Sequence, residues 1–96
     1  MKRNLQSRRT PSCRTKVLAE AQITLLPLSL VYRLEWGRRD GESGFWVTVE
    51  TASDMARAWL GDDVTYAVSC YEQIKRGCVT PCTLQEIVEE LFERGA

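Results

Sequence analysis

The chain has no histidine, only three prolines, and no apolar run long enough to cross a bilayer. Without an imidazole there is no ordinary Ser-His or Cys-His relay, and no histidine ligand for a transition metal. A glycine-rich phosphate loop is also missing, because Gly37, Gly41 and Gly44 separate two strand-like runs instead of joining a strand to a helix. The longest apolar stretch, Ile23 to Val31, falls well short of the ~20 residues of a spanning helix. It follows basic residues, as the core of a signal peptide would, yet Glu20 interrupts the approach and no small-x-small cleavage site follows. Four cysteines in 96 residues are too few for a secreted disulfide scaffold. These absences predict a cytoplasmic, non-enzymatic protein with reduced thiols, no cofactor, no small-molecule substrate and no membrane contact.

What is present is unevenly placed. Thirteen basic and thirteen acidic residues cancel, but Lys2, Arg3, Arg8, Arg9, Arg14 and Lys16 fall before Glu20 with no acid among them. The rest of the chain, with seven basic and thirteen acidic residues, is correspondingly acidic. The arm lacks apolar periodicity, so nothing offsets the entropy of ordering it, and residues 1–22 are expected to be a disordered basic tail before one domain over 23–96. A translation start further downstream would leave the arm unmade. Six clustered cations would give salt-dependent contact with nucleic acid, a minor alternative because no aromatic residue is interleaved for base stacking.

Leu28, Leu30, Tyr32, Leu34 and Trp36 alternate with Ser29, Val31, Arg33 and Glu35, the period of a strand with one buried face. Residues 37–44, with three glycines, read as a hairpin connection to a second strand in which Phe45, Val47 and Val49 alternate with Trp46, Thr48 and Glu50. After a turn at Thr51–Asp54, Met55 to Leu60 is too short for an independent helix and reads as a third strand. Asp62 is positioned to cap a helix over 63–76 whose apolar stripe is Val64, Ala67, Val68, Tyr71 and Ile74, and Gly77 can close it in the left-handed conformation. Thr83-Leu-Gln-Glu86 matches a capping box, followed by the stripe Leu84, Ile87, Val88 and Leu91. The predicted fold is α+β: a three-stranded antiparallel meander followed by two α-helices on one face.

Between the helices, "GCVTPCTLQE" carries cysteines in a Cys-x-x-x-Cys spacing. Redox dithiols are usually Cys-x-x-Cys at a helix that follows a strand, and structural zinc needs four ligands. Cys78 continues the apolar stripe, Cys82 precedes the cap, and Cys70 points about 90° from the stripe. The stretch therefore reads as a corner between helices. A thiol-dependent zinc or redox role for Cys70, Cys78 and Cys82 is the alternative. Asp62-Asp63 reads as cap and dipole complement instead of a cation site.

The motifs "SLVYRLEW", "GFWVTVET" and "VTPCTLQEIVEELFE", in that order, resemble a clostridial family of small proteins, a domain of unknown function, over about residues 30 to 94. The resemblance implies an aromatic-led strand and an acidic C-terminal helix after a Val-Thr-Pro corner. It supplies no catalytic residue, and Cys82, Tyr66 and "MARAWLGDD" depart from it.

Two helices on one side leave the other side of the sheet open. That side is expected to carry Val31, Arg33, Glu35, Trp46, Thr48, Glu50 and Trp59. An indole large enough to bury 150–250 Å² is better explained by something covering it. Trp and Arg are also typical interface anchors. The candidate contact residues are Trp46, Val31, Arg33, Thr48 and Trp59, and the expected partner is a protein or a second copy of the chain. The competing reading folds the N-terminal segment or the 37–44 loop over Trp46.

Overall fold

The computed structural model describes residues 15–95, in which a four-stranded antiparallel sheet packs against two helices. Strands β1 (Lys16–Leu25), β2 (Leu28–Arg39), β3 (Glu42–Glu50) and β4 (Met55–Gly61) lie side by side in chain order. They are followed by α1 (Val64–Arg76), a 3-10 turn (Pro81–Thr83) and α2 (Leu84–Gly95). The α+β class and the pair of helices agree with the sequence; the strand count does not. The additional strand is β1, which takes in residues 16–22 that were expected in the tail. Residues 1–14 lie outside the described residues. In β1, Ala19, Ala21 and Ile23 sit opposite Leu34, Tyr32 and Leu30, whereas Glu20 and Gln22 pair with Arg33 and Val31. Alanine adds little apolar area, so this alternation is faint in sequence, and a register shift between Val17 and Ala19 breaks it further. Pairing with β2 supplies the hydrogen bonds that composition alone could not promise.

The β2–β3 connection is tighter than expected. Pairing continues through Gly37↔Gly44 to Arg39↔Glu42, leaving only Asp40 and Gly41 in the turn. Both have positive φ, 51° and 86°, which matches a type I′ turn and the right-handed twist of its strands. At the β1–β2 turn the Leu26–Pro27 peptide bond is cis. Before β4, the Thr51 hydroxyl accepts from the Asp54 N–H at 3.0 Å and fixes the predicted turn. Met55 to Leu60 is a strand, as read from the sequence.

Four helix details correct the reading. Asp63, not Asp62, caps α1, its carboxylate accepting from the Tyr66 N–H at 3.1 Å. The buried stripe is Ala67, Cys70, Tyr71 and Ile74, while Val64 and Val68 are exposed. At 100° per residue this rolls α1 by roughly 45° from the predicted orientation. The roll sets small Ala67 and Cys70 against the sheet and lets the Tyr71 hydroxyl donate to the Tyr32 carbonyl at 3.0 Å. At the C-terminus Gly77 stays right-handed (φ −84°) and Cys78 takes the left-handed position (φ 52°). There the Val79 N–H reaches the Ile74 carbonyl and the Cys78 N–H reaches the Lys75 carbonyl, the paired bonds of a Schellman closure. The capping box does not form as drawn. Pro81 opens a 3-10 turn with Thr80 at its extended N-cap, and the Thr83 hydroxyl donates back to the Thr80 carbonyl.

One core lies between sheet and helices. Leu30, Tyr32, Leu34, Phe45, Val47 and Val49 are buried in it as predicted, together with Tyr71, Ile74, Leu84 and Val88. Ala58, Leu60, Ala67 and Cys70 join them, and Ile87 and Leu91 pack at its margin. The Tyr32 hydroxyl donates to the Val79 carbonyl at 2.9 Å, tying the sheet to the corner between the helices.

Candidate interaction face

Among the described residues no helix lies on the opposite side of the sheet, and strand register decides which side chains meet there. Thr48 on β3 is flanked by Arg33 on β2 and Arg57 on β4. One pair along the sheet, Trp46 is flanked by Glu35 and Trp59. Glu50 sits between Val31 and Met55, and Glu20 on β1 faces Arg33. Val31, Arg33, Trp46, Thr48 and Trp59 are thus brought onto one surface. What sequence reasoning missed is Arg57, together with Glu20 and Arg39. The period-two pattern of "MARAW" could have placed Arg57 beside Trp59, but an uncertain strand gave it little weight.

The indoles have cover from their own face. Trp46 and Trp59 meet edge to face at 5.1 Å, and the Arg57 guanidinium lies 4.3 Å from the Trp46 ring. Arg39, from the end of β2, lies 5.7 Å from Trp59. Trp46 is therefore half-buried, which corrects the expectation that this indole finds no cover within the chain. Gly44 makes the arrangement fit: a Cβ there would stand 2.6 Å from the Trp59 ring and 2.5 Å from the Gly61 carbonyl oxygen.

Charges of both signs interleave around the indoles. Arg33 holds Glu20 at 3.0 Å and Glu50 at 2.8 Å. Its guanidinium keeps its proton above the ordinary arginine value, first through the hydrogen bond to Glu50 and also through Glu20. Glu35, only 8% exposed, accepts from the Thr15 hydroxyl at 3.1 Å and pairs with Arg57 at 3.6 Å. Partly exposed pairs of this kind contribute ~0.2–1 kcal/mol each, so they order the face more than they stabilise the fold.

Among the described residues three polar atoms on this face are out of water without a partner: Trp46 Nε1, Thr48 Oγ1 and Arg57 Nε. Thr48 itself is 4% exposed. An unpaired buried donor or hydroxyl costs about 1–3 kcal/mol.

The thiols are placed differently from the sequence reading. Cys70, expected off the stripe, is buried against the sheet, and burial pushes its thiol above the ordinary value. A thiol held protonated is a poor nucleophile and a poor metal ligand. Cys78 is half-buried and Cys82 exposed. Among the described residues, no group of three or more His, Cys, Asp or Glu side chains could hold a metal ion. Nor is any helix there long and apolar enough to cross a membrane. No protein family, curated protein or solved structure matches the chain.

Proposed function

We propose that this protein is a non-enzymatic interaction module whose contact surface is the helix-free face of the sheet, and that its occupant is a second copy of the chain. The observation that carries the reading is the trio of unpartnered buried atoms, Trp46 Nε1, Thr48 Oγ1 and Arg57 Nε, gathered on one face. They are a cost to the isolated chain that an incoming surface with acceptors offsets once the Arg57 side chain swings off Trp46. The charge pattern favours a like surface. Acids (Glu20, Glu35, Glu50) and bases (Arg33, Arg57) are intermixed, so a two-fold copy can set acid against base, whereas a face of one sign would select an oppositely charged partner.

The test is light scattering over a concentration series, on wild type and Val31→Lys. Val31 is half-buried beside Glu50 and makes no polar contact that the fold needs. Wild type is expected to reach twice the monomer mass in the tens of micromolar, with Val31→Lys remaining monomeric. A wild-type monomer throughout overturns the reading.

A further inference from the structure

β4 is the last strand of the sheet, so its outer edge presents backbone N–H and C=O groups with no neighbouring strand among the described residues. A groove of about 390 Å³ runs along that edge. One wall is Arg39, Trp46, Arg57 and Trp59, from the helix-free side; the other is Gln85, Val88 and Phe92 of α2, with Ala58 between them. Residues from opposite faces of β4 can line one cavity only if it wraps around the strand edge. Its chemistry differs from that of the neighbouring face: two arginines line it and no acid does. Arg39 makes no ion pair among the described residues, being held only over the Trp59 ring. Phe92, 42% exposed, supplies apolar surface against which a side chain could pack.

We infer that this edge takes an extended, acidic peptide segment of a partner protein, added as a fifth strand beside β4. Main-chain pairing gives such a segment affinity without sequence preference, and alternate side chains read the groove. A carboxylate every second residue would meet Arg39 and Arg57, and an apolar residue on the other side would meet Phe92. The inference extends the proposed contact surface to its β4 border, sharing Arg39, Trp46, Arg57 and Trp59 with it, but the two stand or fall separately because Phe92 belongs only to the groove and Val31 only to the face.

The experiment pans a random phage-displayed peptide library against the immobilised full chain, then measures the enriched peptide by fluorescence anisotropy and by amide exchange. Expected are acidic residues at alternating positions and slowed exchange of β4 amides on binding. Affinity should fall about tenfold, equivalent to ~1.4 kcal/mol, in Arg39→Glu and stay unchanged in Val31→Lys. Arg39→Gln serves if the charge reversal disturbs folding. Selected peptides without acidic residues, indifference to both Arg39 variants, or protection on β1 instead of β4 would overturn it. So would β4 protection that grows with protein concentration in the absence of peptide, because a second copy would then hold the edge.

Discussion

On the helix-covered side of the sheet, Tyr32 and Tyr71 bury their rings and still place their hydroxyls 2.9 and 3.0 Å from carbonyl acceptors. On the other side, Trp46 and Thr48 are withdrawn from water with no acceptor in reach. The same strands supply both sides, so composition and β-propensity cannot account for the contrast. What differs is the neighbour: the corner after α1 brings the Val79 carbonyl to Tyr32, and α1 brings apolar area and a hydroxyl that donates to the β2 backbone, while among the described residues the other face is roofed by its own Arg57 and Trp59. Among the described residues one face is completed by the chain itself, and the other keeps buried polar atoms without partners.

The largest expected difference comes from truncating matching positions on the two sides. Ile74→Ala, in the covered core, should cost about 2–5 kcal/mol in a urea titration. Val31→Ala, half-buried on the helix-free face, should cost less than ~1 kcal/mol. Equal costs would mean that the two sides are packed alike.

Gly44→Ala should destabilise by about 1–3 kcal/mol, because the added methyl meets the Gly61 backbone carbonyl as well as the Trp59 ring. The same variant should change Trp59 fluorescence. If it is neutral, the close seating of that indole over β3 is wrong.

The covered side also sets a pH limit. Burial pushes the Tyr32 hydroxyl up to about 12, with Cys78 adding to it, and pushes Tyr71 upward as well. At the margin of the core burial likewise raises Tyr66 to about 12. Below the ordinary tyrosine value near 10, folded and unfolded chains both keep these protons and the contribution to stability is whole. Between about 10 and 12 only the unfolded chain releases the Tyr32 and Tyr66 protons, so stability falls as pH rises through that window, and Tyr71 acts in the same direction. Tyr32→Phe should flatten the alkaline limb of a denaturation-against-pH curve. An unchanged limb would contradict the burial of that hydroxyl.

The smallest effects have opposite signs on the two faces. Tyr32→Phe strands the Val79 carbonyl and should cost about 1 kcal/mol, whereas Thr48→Val removes a hydroxyl that bonds to nothing and should raise monomer stability by about 1 kcal/mol. A destabilising Thr48→Val would show that this hydroxyl has a partner after all.

Much of this was legible in the sequence where periodicity was strong. The alternation from Leu28 to Trp36 and from Phe45 to Glu50 fixed which side chains share a face, and α2 announced itself through Leu84, Ile87, Val88 and Leu91. β1 was not legible, because Ala19 and Ala21 carry the buried side of an alternation whose other residues suit a helix equally well. The orientation of α1 was hidden for a related reason: Val64 and Val68 are the more apolar choice, but close approach favours Ala67 and Cys70. Trp46 and Arg33 could be assigned to the helix-free face from parity alone. The Arg57 roof and the Gly44 seat could not, because both depend on the β3–β4 register.

The central claim is that the helix-free face meets another copy of itself, and the most direct measurement is a concentration series of ¹⁵N–¹H correlation spectra following the tryptophan indole signals. The account predicts that the Trp46 indole resonance moves as protein concentration rises, while that of Trp36, exposed beside Phe45 on the helix side of the sheet, stays in place. A Trp46 signal that is constant across the series, or that moves together with Trp36, would contradict it.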